Sequence, residues 1–102
     1  MMDPYLEQVK QIVLEELEDY QVRVYLFGSR ARGETRSGSD CDIAVESVGS
    51  HLPLGLLSRI RERLEESRVP YEVELVDLDE APEDFARRVR QEGVLWSDTR
   101  NE

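Results

Sequence analysis

The chain reads as an α/β domain built on a helix-covered, at least partly parallel sheet. Three observations carry that reading. Apolar residues recur at helical spacing in three separated stretches, short β-rich runs lie between them, and the connections between those runs carry helices. With 102 residues the chain has room for a single domain, residues 1–102, able to bury about two-thirds of its unfolded surface.

Asp3 and Pro4 form a helix start, a capping residue followed by proline at the first helical position. Leu6, Val9, Val13, Leu17 and Tyr20, flanked by Ile12 and Leu14, then place an apolar stripe on a helix over residues 4–19. Val22-Arg23-Val24-Tyr25-Leu26-Phe27 is a strand that stops at Gly28, as a strand does at a tight turn. Residues 29–33 read as a short helix, 34–39 as a Gly/Ser/Thr loop, and 41–46 as the second strand. Ser47 to Pro53 is a turn. Leu57, Ile60 and Leu64 mark a helix over residues 53–67, with Arg59, Arg61, Glu62 and Arg63 on its wet side. The whole charged stretch from Arg59 to Arg68 is a solvated helix face. Pro70 breaks that helix from a third strand, Tyr71 to Leu78. Pro82 starts a last helix carrying Phe85 and Val89, and Gly93 stops it. Val94-Leu95-Trp96 either docks on the core or adds an edge strand, and the pattern leaves the role of the 94–102 tail open.

Composition narrows the function. Thirteen basic against 23 acidic residues give a formal net charge of −10, the wrong sign for a surface that grips nucleic acid directly. A nucleotide substrate stays within reach, because local arginines and a metal can neutralise a triphosphate. Arg30, Arg32 and Arg36 cluster beside the Gly28 turn, where ordinary surface charge is the alternative. Cys41 is the single cysteine, which rules out an internal disulfide and favours an intracellular setting. It reads as a small buried apolar residue. No basic stretch leads into an apolar one at the N-terminus, and no apolar run reaches the length of a membrane span. The expectation is a cytoplasmic protein with no membrane contact.

Chemistry concentrates in residues 28–42. If Ser29 caps a short helix through Arg32, free backbone N–H groups face whatever sits over the turn, and such a helix start attracts phosphate. Gly28, Ser29 and Arg30 are therefore candidate phosphate ligands. Asp40 and Asp42, two residues apart at the start of a strand, point to one face and can hold a hard cation such as Mg²⁺. A pair of such ions about 3.5–4 Å apart can bind a nucleoside triphosphate and activate an incoming hydroxyl. A third carboxylate is wanted for that work. Glu74 is the candidate, since a carboxylate within Val73-Glu74-Leu75-Val76 is costly to bury unless it meets a cation. The alternative is a wet strand face carrying both Glu72 and Glu74. Asp77 and Asp79 fall at the strand end and turn. Rival motifs are weaker. Gly28 to Gly33 lacks the Lys-Ser/Thr ending of a P-loop and the three-glycine spacing of a dinucleotide turn. His51, the single histidine, leaves no material for a zinc site or a triad and reads as a loop residue. Trp96 reads as core or interface filler.

Phe27-Gly28-Ser29-Arg30-Ala31-Arg32-Gly33 with Ser39-Asp40-Cys41-Asp42-Ile43-Ala44-Val45 resembles the signature of the DNA polymerase β-type nucleotidyltransferase superfamily, and specifically its minimal nucleotidyltransferase (MNT) branch. Val73 to Leu78 and the helix before Gly93 resemble the same branch. The resemblance implies a nucleotidyltransferase-type mixed sheet of three or more strands flanked by helices. It implies that Gly28 and Ser29 contact the triphosphate of ATP and that Asp40 and Asp42 ligate Mg²⁺. The family usually has aspartate where Glu74 falls, and glutamate keeps the charge but adds a methylene. Members of this branch pair with a small helical HEPN ribonuclease toxin and neutralise it by transferring AMP from ATP to a tyrosine. The resemblance thus implies an adenylyltransferase antitoxin, with the acceptor platform supplied by the partner or by a second copy of the chain. The alternatives are a catalytically weak or inactive nucleotide-binding module that neutralises its partner by covering it, and an aminoglycoside-type enzyme acting on a small molecule.

Overall fold

A computed structural model describes residues 4–28 and 40–98. The elements run α1 (Pro4–Glu16), β1 (Val22–Phe27), β2 (Cys41–Ser47), α2 (Leu56–Glu65), β3 (Val73–Asp77), α3 (Glu83–Glu92) and β4 (Val94–Asp98). The cap expected at Asp3 and the short helix and loop expected over residues 29–39 lie outside the described residues. The four strands form one mixed sheet in the order β3-β2-β1-β4. β1 pairs antiparallel with both β2 and β4, while β2 pairs parallel with β3. The parallel pair follows from the α2 crossover, which returns the chain to the same end of the sheet.

Alternation along the strands divides the core between the two sheet faces. Val22, Val24 and Leu26 of β1, Cys41, Ile43 and Val45 of β2 and Leu75 of β3 are buried with Val9, Ile12, Val13 and Leu17 and with Leu56, Ile60 and Leu64. That is the face covered by α1 and α2. On the opposite face Tyr25, Ala44 and Leu78 pack with Ala86 and Val89 of α3. Cys41 is fully buried, as its size and position between two acids indicated. Trp96 of β4 packs against the larger cluster, so the C-terminal run both adds an edge strand and helps fill the core.

Several boundaries are tighter than periodicity indicated. α1 ends at Glu16, three residues short of the expected end, and the chain turns through Leu17–Asp19. α2 spans Leu56–Glu65 and not 53–67, and Leu56 is buried where Leu57 was expected to be. Leu56 joins Ile60 and Leu64 at successive i, i+4 positions, Leu57 packs partly buried beside them, and Gly55 begins the helix with a left-handed φ of 87°. α2's wet face is also partly engaged. Arg63 holds Glu15 and Glu16 of α1 at 2.7 and 2.9 Å, and Arg61 donates to the Leu75 carbonyl at 2.7 Å, tying α2 to β3. On the other face Arg90 of α3 holds Glu46 of β2 at 2.7 Å.

Gly93 ends α3, but not by the left-handed conformation usual at helix ends. Its backbone is extended, with φ −76° and ψ 163°. The requirement is space. A Cβ there would lie 2.6 Å from the Val89 carbonyl oxygen and 3.1 Å from that of Leu26, both backbone atoms with little freedom to yield. The α3–β4 corner is thus pressed against β1. Gly93→Ala is expected to destabilise the domain by about 1–3 kcal/mol, read as a lower urea midpoint at unchanged slope. An unchanged midpoint would mean that the corner relaxes freely.

Candidate functional site

Strand register brings the sequence-predicted acids to one corner of the sheet. Phe27, the last residue of β1, lies opposite Asp42 in the antiparallel ladder. Asp42 in turn lies beside Glu74 in the parallel ladder, and side chains paired in register leave the sheet on the same face. Asp40 immediately precedes β2 and is exposed. Glu74 is exposed too, as is Glu72, so the wet-face expectation also holds. It does not compete with a role for Glu74, because that face is the one Asp42 occupies.

Gly28 follows β1 with a φ of 79°, a conformation that favours glycine. Here the absence of a side chain has a second use. A Cβ would approach Asp42 Cγ to 3.2 Å and its Oδ2 more closely still. The turn after β1 therefore lets the Asp42 carboxylate lie directly against its backbone. Ser29 and Arg30, expected to bind phosphate alongside Gly28, lie outside the described residues, as do Arg32 and Arg36.

The field at this corner is negative. The Asp42 carboxyl is pushed above its ordinary value, first by burial, then by the charges of Glu74 and Asp40. No cation among the described residues offsets these effects. The Asp42, Glu74 and Asp40 carboxylates are hard oxygen donors of the kind Mg²⁺ takes. By donor chemistry alone the set suits a divalent cation. Among the described residues no three His, Cys, Asp or Glu side chains stand close enough together to hold a metal ion, and the acids share the corner through register and field.

Next to the corner is a feature the sequence did not reveal. Phe27, Gly28, Phe85, Arg88, Val89 and Glu92 line a small cleft of about 190 Å³. Phe27 and Phe85 meet edge to face with ring centroids 5.6 Å apart. The contact joins β1 to α3 across most of the chain, and no local pattern announces it. Elsewhere, Asp77 ends β3, Asp79 accepts hydrogen bonds from the Ser47 backbone and hydroxyl, and His51 is an exposed loop residue 3.7 Å from Asp79. None of these belongs to the acidic corner. Among the described residues no helix is long and apolar enough to cross a membrane.

Comparison with known proteins places this corner in context. The model of a family described as polymerase beta, nucleotidyltransferase matches residues 7–101. A Haemophilus influenzae protein described as "Probable protein adenylyltransferase MntA" is 36% identical over 89 residues, which cover 85% of this chain and 74% of that protein. A crystal structure of a toxin–antitoxin with AMP-PNP is 26% identical, with a TM-score of 0.70 over 89% of this chain and 74% of that one. A Shewanella oneidensis structure of a tri-AMPylated HEPN toxin in complex with MNT antitoxin is similar at 24% identity, with a TM-score of 0.64 over 91% of this chain and 72% of that one. At that identity the likeness speaks for the fold.

The raised Asp42 carboxyl has a consequence for stability. A carboxyl whose folded-state pKa lies above its unfolded value favours folding when protonated, and that advantage is lost as pH rises from the ordinary carboxylate range through the folded value. Asp42→Asn mimics the protonated form. At pH 7 it is expected to stabilise the metal-free domain by up to about 1 kcal/mol, a few degrees in Tm. The difference should vanish near pH 3. Thermal denaturation at both pH values checks it, and a destabilised variant at pH 7 would contradict the electrostatic picture.

Proposed function

We infer the activity from one fact: the chain belongs to the polymerase beta nucleotidyltransferase family. It transfers AMP from ATP to a hydroxyl of a partner protein and acts as the antitoxin of a toxin–antitoxin pair. The observation that carries this reading is the register of Asp42 beside Glu74, with Asp40 adjoining, against the Gly28 turn. The relative from Haemophilus influenzae bears an adenylyltransferase name, and the toxin–antitoxin with AMP-PNP supports a nucleotide substrate. The sequence resemblance implies a HEPN toxin as acceptor, and the similar fold from Shewanella oneidensis stands in complex with an AMPylated one. Residues 1–102 would carry the nucleotidyltransferase domain, with the partner supplying the acceptor.

The reaction is an in-line substitution at the α-phosphate. The acceptor oxygen, a tyrosine hydroxyl by the resemblance, forms a bond to phosphorus, the bond to the β-phosphate oxygen breaks, and pyrophosphate leaves. Asp40, Asp42 and Glu74 would hold Mg²⁺, which when bound neutralises phosphate charge and makes the attacking hydroxyl more acidic. Glu74 stands at the exposed side of the corner, where an incoming side chain arrives. It orients that hydroxyl and takes its proton. Gly28 gives the phosphates close access to backbone, and Ser29 and Arg30 extend the phosphate contacts.

Incubation with labelled ATP, Mg²⁺ and the HEPN partner is expected to label the partner. The double variant Asp40→Asn/Asp42→Asn should lose label by at least about a hundredfold while keeping its circular dichroism. Absence of labelling at saturating ATP would reject the enzyme, and a tight complex that survives the double substitution would point to neutralisation by binding alone.

A further inference from the structure

We propose that the cleft between β1 and α3 is the seat of the nucleobase, with Phe85 as its stacking platform and Glu92 and Arg88 as the groups that select adenine. This deepens the proposed function and rests on it. The cleft and the acidic corner share Gly28: its backbone borders the Asp42 carboxylate on one side and lines the cleft on the other. A nucleotide whose phosphates lie over the Gly28 turn thus has an aromatic recess beside them.

The cleft suits a planar ring. Its volume of about 190 Å³ is smaller than a site for a drug-sized ligand. Phe27 and Phe85, set at 85° to each other, give it an aromatic floor and wall, and Val89 contributes apolar surface. Base stacking on such rings is favourable for every base, so discrimination must come from polar groups at the edge. Two are present. Arg88 and Glu92 lie one turn apart on α3, both exposed. Arg88 makes no ion pair with any described residue, unlike its neighbours Arg87, held by Asp84, and Arg90, held by Glu46 and Glu83. With no ion pair among the described residues, Arg88 keeps its guanidinium donors available to an acceptor at the cleft.

Adenine offers an exocyclic amine donor beside ring-nitrogen acceptors. A carboxylate accepts from the amine, and a guanidinium donates to a ring nitrogen. Guanine turns a carbonyl oxygen to the same edge, which faces the carboxylate unfavourably. A tyrosine ring from the partner is the competing occupant. It offers only one polar atom, and that atom must reach the α-phosphate, so it leaves Arg88 and Glu92 without a counterpart.

The test is calorimetric titration of the full chain, with Mg²⁺, using ATP, GTP and inorganic tripolyphosphate. Phe85→Ala is expected to weaken ATP about tenfold and leave tripolyphosphate unchanged. Phe85→Leu, which keeps the apolar volume, should weaken ATP in the same direction with the fold intact by circular dichroism. Glu92→Gln should narrow the preference for ATP over GTP by about tenfold. ATP binding by the wild type that none of these substitutions alters would overturn the proposal, including the case where partner labelling alone suffers. A wild type that binds neither ATP nor tripolyphosphate would overturn the proposed function itself.

Discussion

Everything at the acidic corner depends on the register of three strands. Phe27 opposite Asp42, and Asp42 beside Glu74, fix which side chains share a face and at which end of the sheet they stand. A slip of one residue in either ladder would turn a carboxylate into the core and an apolar side chain out to water. The buried face prevents it. Cys41, Ile43 and Val45 alternate with Asp42 and Ala44, and their burial beneath α1 and α2 leaves Asp42 no other direction. The hydrophobic core thus specifies the placement of charge without touching it.

That placement is held against electrostatic cost. Asp42 is partly buried beside two other carboxylates, an arrangement that favours neither folding nor ionisation on its own. It becomes favourable when positive charge arrives. Strain of this kind is commonly concentrated at functional sites and compensated elsewhere. Here the compensation is visible in the two clusters and in Arg61, Arg63 and Arg90, which join each helix to a neighbouring element.

Much of this was legible in the sequence because it is periodic or punctuated. Alternation in Val22–Phe27, the helical stripe of α1, the breaks at Pro70 and Pro82 and the glycine after β1 each follow from a local rule. The candidacy of Asp40 and Asp42 followed from their two-residue spacing at the start of a strand, and that of Glu74 from a charge set within an apolar run. What stayed hidden arises from packing between distant segments. Leu56 is the more buried of the Leu56–Leu57 pair because it packs with α1 and the sheet. Gly93 looked like a conformational stop but is a steric necessity, set by the Val89 carbonyl one turn back and by that of Leu26, far away in the chain. The meeting of Phe27 with Phe85 has no signature in either segment. Pairwise contacts across a sheet are decided by the crossing of a helix, which spacing alone does not encode.

The two faces of the sheet carry unequal burdens. Beneath α1 and α2 lies the larger apolar cluster, closed by ion pairs between the helices. Beneath α3 the cluster is smaller and opens at one end onto Gly28. Variation accumulating in related chains should therefore be sorted by face. Changes on the first are confined to near-isosteric exchanges, whereas α3, apart from Arg90 with its ion pair to Glu46, is free to diversify its outward residues without endangering the scaffold. A single helix thus becomes the segment through which descendants of one fold can acquire different tastes in substrate.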